Sequence, residues 1–195
     1  MKLDIVFTGV GGQGIIVASD VFCEAAILEG FDVAKAETRG MAQRGGSVVV
    51  HVRIGDHVTS PIIEMGTGDI ILGFEILESV RYLPLLKDRG TSLINKQFIP
   101  PIPVIQRLVE CPSVEELMDV ARSKTRQVYE IDGINLARKA GNIASVNIVL
   151  LGALSVVHEN PISEKILTEV VSHSFKPEYT AVNLKAFQLG RESVT

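Results

Sequence analysis

Apolar residues along this chain come in short dense blocks and in longer stretches at helical spacing. Residues 3–7 (LDIVF) are the first block and lead into a glycine-rich turn. Residues 15–28 then carry Ile16, Val17, Val21, Ala25 and Leu28 on one helical face, with Gly30 placed to end the helix. Residues 31–36 predict a second strand. The β-branched run 47–54 predicts a third, with the turn Gly55-Asp56-His57 and a short paired return at 58–60. Residues 69–74 have the length and apolarity of a strand buried on both faces. The spacing of Ile76, Leu77, Val80, Leu83 and Leu86 predicts a helix over 75–87, kinked or restarted at Pro84. A strand follows at 91–95, and 99–103 reads as an extended proline-rich connector.

The second half turns helical. Ser113-Val114-Glu115-Glu116 fits a capping box and predicts a helix to about residue 123. Residues 127–131 predict a strand, and Asp132-Gly133 leads into a helix over 134–140. A nearly all-apolar helix begins near Ala144 and runs toward Val157. Two more helices are expected, one opening at Ser163-Glu164 and running through 171, the other over 179–189. Strands alternating with helices down to Ile131, then helices alone, predict a three-layer, Rossmann-like α/β fold. Its sheet is mostly parallel but mixed, its C-terminus is helical, and one domain spans 1–195.

Composition narrows the function. The chain has 195 residues, 46% hydrophobic, with a formal net charge of −4 and no Trp. That charge carries no nucleic-acid footprint. The start shows no secretory leader, because Asp4 interrupts any apolar core, and the stretch 143–157 is broken by Ser145, Asn147, Gly152 and Ser155. The expectation is a cytoplasmic protein that spans no membrane. Cys23 and Cys111 are isolated, so they read as buried small residues and hold no cluster or zinc by themselves. His51 and His57 have no partners at ligand spacing, and no metal site is expected.

The chemistry-bearing stretch is Gly9-Val10-Gly11-Gly12-Gln13-Gly14. Gly9, Gly11 and Gly14 fit G-x-G-x-x-G between a strand and a helix. Such glycines allow a tight turn and close approach of a ligand to the backbone, with free N–H groups at the helix start to meet an anion. Glu37 ends the second strand where a ribose-binding acid would stand. A second loop, Thr38-Arg39-Gly40-Met41-Ala42-Gln43-Arg44-Gly45-Gly46, is unlike a dinucleotide site and should lie beside the first. Arg39 and Arg44 suit a phosphate or carboxylate, since guanidinium forks match both. The same arginines also fit a surface ion pair or an interface contact. No nucleophile elbow, Walker A loop, H-E-x-x-H motif or thiamine diphosphate signature is present. A glycine turn without an acid/base set suggests a chain that binds or positions.

Taken together, Gly9 to Gly14, Glu37 to Ser47, and Ile71-Leu72-Gly73-Phe74-Glu75 resemble the gamma-type domain of 2-oxoacid:ferredoxin oxidoreductases. Gly141-Asn142-Ile143, residues 147–154 and Asn183-Leu184-Lys185-Ala186-Phe187 resemble the small (beta) subunit of the indolepyruvate branch in particular. The resemblance implies a small subunit that supports oxidative decarboxylation of an aryl pyruvate with coenzyme A. It places thiamine diphosphate, magnesium and the 4Fe-4S clusters on a large (alpha) partner subunit, with ferredoxin as electron acceptor of the complex. This chain then holds no cofactor alone, and a coenzyme A contact is expected at Gly9, Gly11, Gly12, Gln13, Gly14, Glu37, Arg39, Gln43 and Arg44. Two alternatives stay open: a free-standing nicotinamide-dinucleotide enzyme, and a scaffold subunit whose glycine turn binds nothing. The apolar helix near 144–157 also implies cover from another chain, most simply in a homodimer.

Overall fold

The computed structural model describes residues 1–39 and 45–194, with Arg39 described through its backbone. A six-stranded sheet runs in the order β2-β3-β1-β4-β5-β6. Its strands are β1 (Lys2–Val10), β2 (Asp32–Arg39), β3 (Ser47–Gly55), β4 (Gly68–Gly73), β5 (Leu86–Asn95) and β6 (Gln127–Ile131). β1, β4, β5 and β6 pair in parallel, whereas β3 is antiparallel to both β1 and β2. The helices are α1 (Ile15–Leu28), α2 (Ile76–Tyr82), α3 (Ile102–Ile105), α4 (Val114–Lys124), α5 (Gly133–Ala140), α6 (Val146–Leu154), α7 (Glu164–His173) and α8 (Thr180–Glu192). The fold is the expected three-layer α/β arrangement with a mixed sheet and a helical C-terminus.

Alternation along the strands sorts the core into two layers. Leu3, Ile5 and Phe7 of β1 join Val50 and Val52 of β3, Leu72 and Leu93 under α1 and the C-terminal helices. Val6, Val49, Ile71 and Ile94 face the opposite way, onto α2 and α4.

Local signals set most boundaries. Ser113 accepts from Glu116 N–H while the Glu116 carboxylate accepts from Ser113 N–H, so the capping box forms and opens α4. Helix α1 ends in paired bonds, Gly30 N–H to the Ile27 carbonyl and Phe31 N–H to that of Ala26, with Gly30 at φ 96°. Ser163 caps α7 through Ile166 N–H.

Several expectations change. The helix expected over 75–87 stops at Tyr82, followed by a 3-10 turn at Leu83–Leu85, and residues 86–90 already belong to β5. Pro84 sits at the start of that turn because it lacks the N–H that would continue the helix. β3 pairs with β2 and β1; residues 58–60 form no strand, and Val58 N–H donates instead to the Asp32 carboxylate. Part of the connector after residue 99 coils into α3.

The apolar helix α6 also finds its cover at home. Residues Ile148 to Leu154 are buried, packed against α1, α5, α8 and β5. The α8 contact is very close. A Cβ on Gly152 would lie 2.0 Å from the Phe187 carbonyl oxygen, and one on Gly190 1.9 Å from that of Val149. The argument from α6 to a second chain therefore fails, because α1, α5, α8 and β5 cover it.

Candidate functional site

The parallel strands β1, β4, β5 and β6 end together, and a neutral amide network ties their C-terminal ends. Gln13 turns back from the glycine turn. Its Oε1 accepts from Val10 N–H at 2.7 Å, and its Nε2 donates to the Phe74 carbonyl at 2.9 Å and to Gln97 Oε1 at 3.1 Å. Buried Asn95 donates to the same Phe74 carbonyl at 2.9 Å and accepts from Gly133 N–H at 3.0 Å. The Gln97 carbonyl accepts from Ile76 N–H at 2.8 Å. This network explains Gly9: a Cβ there would lie 2.6 Å from Gln13 Oε1 and 2.7 Å from Phe74 Cβ, so only glycine leaves room.

Glu75 lies just beneath this layer, fully buried. Its carboxylate caps α2 by accepting from Leu77 and Glu78 N–H, and it also receives Ile99 N–H. Burial pushes its pKa above the usual carboxylate value, against the pull of those three backbone donors. Buried Glu78 accepts from Ser47 Oγ and, at 2.9 Å, from Arg81, tying the start of β3 to α2.

The two glycine-rich loops meet as expected. Gly11 N–H donates to the Gly46 carbonyl at 2.8 Å, and Gly45 N–H to that of Gly11 at 3.4 Å. Gly12 is exposed at φ 104°, and Gly14, the N-cap of α1, is at φ 76°. A Cβ on Gly14 would come within 2.8 Å of Asn147 Nδ2, so the start of α6 packs directly on the α1 N-terminus. Beside the turn lies a cleft of about 200 Å³ lined by Gly12, Gln13, Gln97, Ile134, Ile143 and Val146. Among the described residues its lining holds apolar and amide groups and no charged side chain. Such a lining recognises by shape and hydrogen bonding.

The remaining candidates belong to β2 and to the second loop. Glu37 pairs with Lys35 at 2.8 Å on β2. Arg39 ends β2 opposite Val48. Gln43 and Arg44 lie outside the described residues. The antiparallel β3 separates β1 from β2, putting Glu37 about two strand spacings, ~10 Å, from the strand that feeds the glycine turn. A dinucleotide-binding acid stands on the strand adjacent to the first, so this topology removes the support that Glu37 gave the nicotinamide reading. Asn95, Gln97, Glu75 and Asn147 were not anticipated. Asn95 and Gln97, polar residues at the end of an apolar strand, were the available signal.

Comparison with known proteins decides the family. Residues 4–193 match the pyruvate ferredoxin/flavodoxin oxidoreductase family. The chain belongs to that family. It is 40% identical over 190 residues to the indolepyruvate oxidoreductase subunit IorB of Pyrococcus horikoshii, covering 97% of this chain and 94% of that protein. The IorB subunit of Archaeoglobus fulgidus is 36% identical with the same coverage. Among solved structures, the gamma subunit of a keto/oxoacid ferredoxin oxidoreductase from Geobacter sulfurreducens superposes with a TM-score of 0.73 at 26% identity, over 98% of both chains. A 2-oxoglutarate:ferredoxin oxidoreductase chain from Magnetococcus marinus, solved with 2-oxoglutarate, coenzyme A and succinyl-CoA bound, gives a TM-score of 0.73 at 25% identity. There the match covers 99% of this chain but 31% of that one.

The chain is thus a small-subunit homologue within 2-oxoacid:ferredoxin oxidoreductases, and its relatives are subunits of oxidoreductase complexes. Among the described residues no three His, Cys, Asp or Glu side chains gather as a metal site. Cys23 is buried on α1, and burial pushes its thiol up to about 12. No described helix is long and apolar enough to cross a membrane.

Proposed function

We propose that this chain is the small subunit of an indolepyruvate:ferredoxin oxidoreductase. In this reading the large partner carries thiamine diphosphate, magnesium and the iron–sulfur clusters, where the aryl pyruvate is decarboxylated and its electrons leave for ferredoxin. The small chain completes the assembly and lends a coenzyme A contact. The observation that carries it is the 40% identity to an IorB subunit across 97% of the chain. The amide and apolar groups that line the cleft among the described residues suit a chain that positions. So does its outer surface: Ile102, Ile105, Leu108 and Val109, all more than half exposed, crowd one short segment, a density of apolar surface more usual where another chain docks.

The glycine-turn cleft is the proposed coenzyme A contact. Its amides and apolar walls suit the uncharged amide-and-methylene arm of that cofactor better than its phosphates, which would need cations such as the arginines of the second loop. A second reading keeps the chain as a scaffold that binds no ligand, and it is favoured by the commitment of Gln13 to its own chain. Ile143→Asp separates the two, because Ile143 lines the cleft and is half exposed. Co-expressed with its large subunit, the variant should assemble normally and raise the KM for coenzyme A about tenfold, the effect of losing a modest apolar contact. An unchanged KM in an intact complex supports the scaffold.

A further inference from the structure

β2 is an edge strand of eight residues, and among the described residues none of its backbone groups bonds to the backbone of any segment but β3. Val33 N–H also meets the Asp32 carboxylate. A long bare edge is a template for another strand unless it is blunted by Pro, a bulge, a covering element or charges that the incoming strand does not match. β2 contains no Pro, and its pairing with β3 runs without a register shift. The opposite edge, β6, has five residues and is flanked by the Arg122–Glu130 ion pair.

The sequence of the edge selects its partner. Along DVAKAETR, charges of opposite sign alternate on one face. Lys35 and Glu37 lie on the α1 face, where Lys35 also meets Asp20. The other face carries Ala34, Ala36 and Thr38, opposite Arg53, His51 and Val49 of β3. A two-fold axis normal to the sheet preserves faces, so a self-paired β2 must centre on a residue. Centred on Lys35, that lysine would face its own copy; centred on Glu37, two carboxylates would meet. Centred on Ala36, each Lys35 stands opposite the other chain's Glu37, and the axis itself holds only a methyl group from each chain. Opposite charges directly across an antiparallel pair stabilise it and like charges oppose it.

We propose that β2 pairs antiparallel with β2 of a second copy about a two-fold axis at Ala36, joining two six-stranded sheets into one through reciprocal Lys35–Glu37 pairs. The pairing deepens the homodimer expectation and gives it a surface that α6 does not supply. It rests on the edge alone and is independent of the substrate and cofactor reading.

The test uses the full chain in sedimentation equilibrium at low salt. K35E and E37K should each weaken dimerisation about tenfold by setting two like-charge pairs across the axis, and the double swap K35E/E37K should restore it. In a chain carrying Cys23→Ala and Cys111→Ser, Ala36→Cys should form an interchain disulfide under mild oxidation. Opposed Cα atoms about 4.5–5.5 Å apart lie within disulfide reach. A monomeric parent chain at micromolar concentration overturns the proposal. So does a dimer whose dissociation constant is the same in the parent and all three charge variants, or one that survives while Ala36→Cys fails to cross-link.

Discussion

Gln13 shows how a residue chosen for ligand binding can belong to the frame. G-x-G-x-x-G spacing identified the turn, but spacing says nothing about where the fourth side chain points. The structure turns it inward, onto Val10, Phe74 and Gln97. Gln13→Ala leaves Val10 N–H without its acceptor and should lower the unfolding free energy of the isolated chain by about 1–3 kcal/mol, read from urea titration. Gly9→Ala should cost a similar ~1–3 kcal/mol, because the new methyl displaces the Gln13 amide and Phe74. His51 is a second residue with a readable consequence. Its Nδ1 accepts from Ile63 N–H at 3.2 Å, and burial first, then Arg53, holds its pKa below the usual histidine value. The unfolded chain therefore takes up a proton that the folded chain resists. His51 favours the fold fully above about pH 6.5, and that share is lost as pH falls from there toward its lowered folded pKa. Urea titrations between pH 7.5 and 5.5 should show wild type losing stability that His51→Asn keeps, and parallel pH profiles would contradict the assignment.

At the scale of elements, the sequence was most legible where local chemistry is decisive. The capping box at Ser113, the glycine stop at Gly30 and the Ser163 cap all stand where the residues put them. It was least legible where tertiary context decides. The helix spacing across Pro84 continues in the sequence, yet residues 86–90 join β5 because strand pairing with β4 outweighs their helical period. The partner of β3 was also hidden, because nothing local distinguishes a return at 58–60 from pairing with β2. The helix α6 is the instructive case. Its all-round apolarity is a correct sign that every face is covered, but the identity of the cover depends on Gly152 and Gly190, whose role appears only when α8 is seen across them. Gly190→Ala should force the two helices apart and cost about 3 kcal/mol, the upper part of the overpacking range. A thermal melt should then fall by roughly 6–12 °C for a chain of this size.

For the whole molecule, topology and comparison together carry the functional account. The mixed order β2-β3-β1-β4-β5-β6 moves Glu37 away from the strand that feeds the glycine turn, whose cleft is lined among the described residues by apolar and amide groups. Of the candidate site, the glycine turn and its contact with the second loop were legible in the sequence. The amide network of Asn95 and Gln97 was not, because it depends on which strand ends become neighbours. Match to the pyruvate ferredoxin/flavodoxin oxidoreductase family over residues 4–193, with a fold that also forms 31% of a longer oxidoreductase chain, places this domain among larger assemblies. The most direct measurement is indolepyruvate- and coenzyme A-dependent ferredoxin reduction by the purified chain, by its large partner, and by the two together. The account predicts no turnover from the small chain alone and full turnover from the pair, faster with indolepyruvate than with pyruvate or 2-oxoglutarate. Turnover by the small chain alone would contradict it, as would a pair that assembles and leaves indolepyruvate untouched.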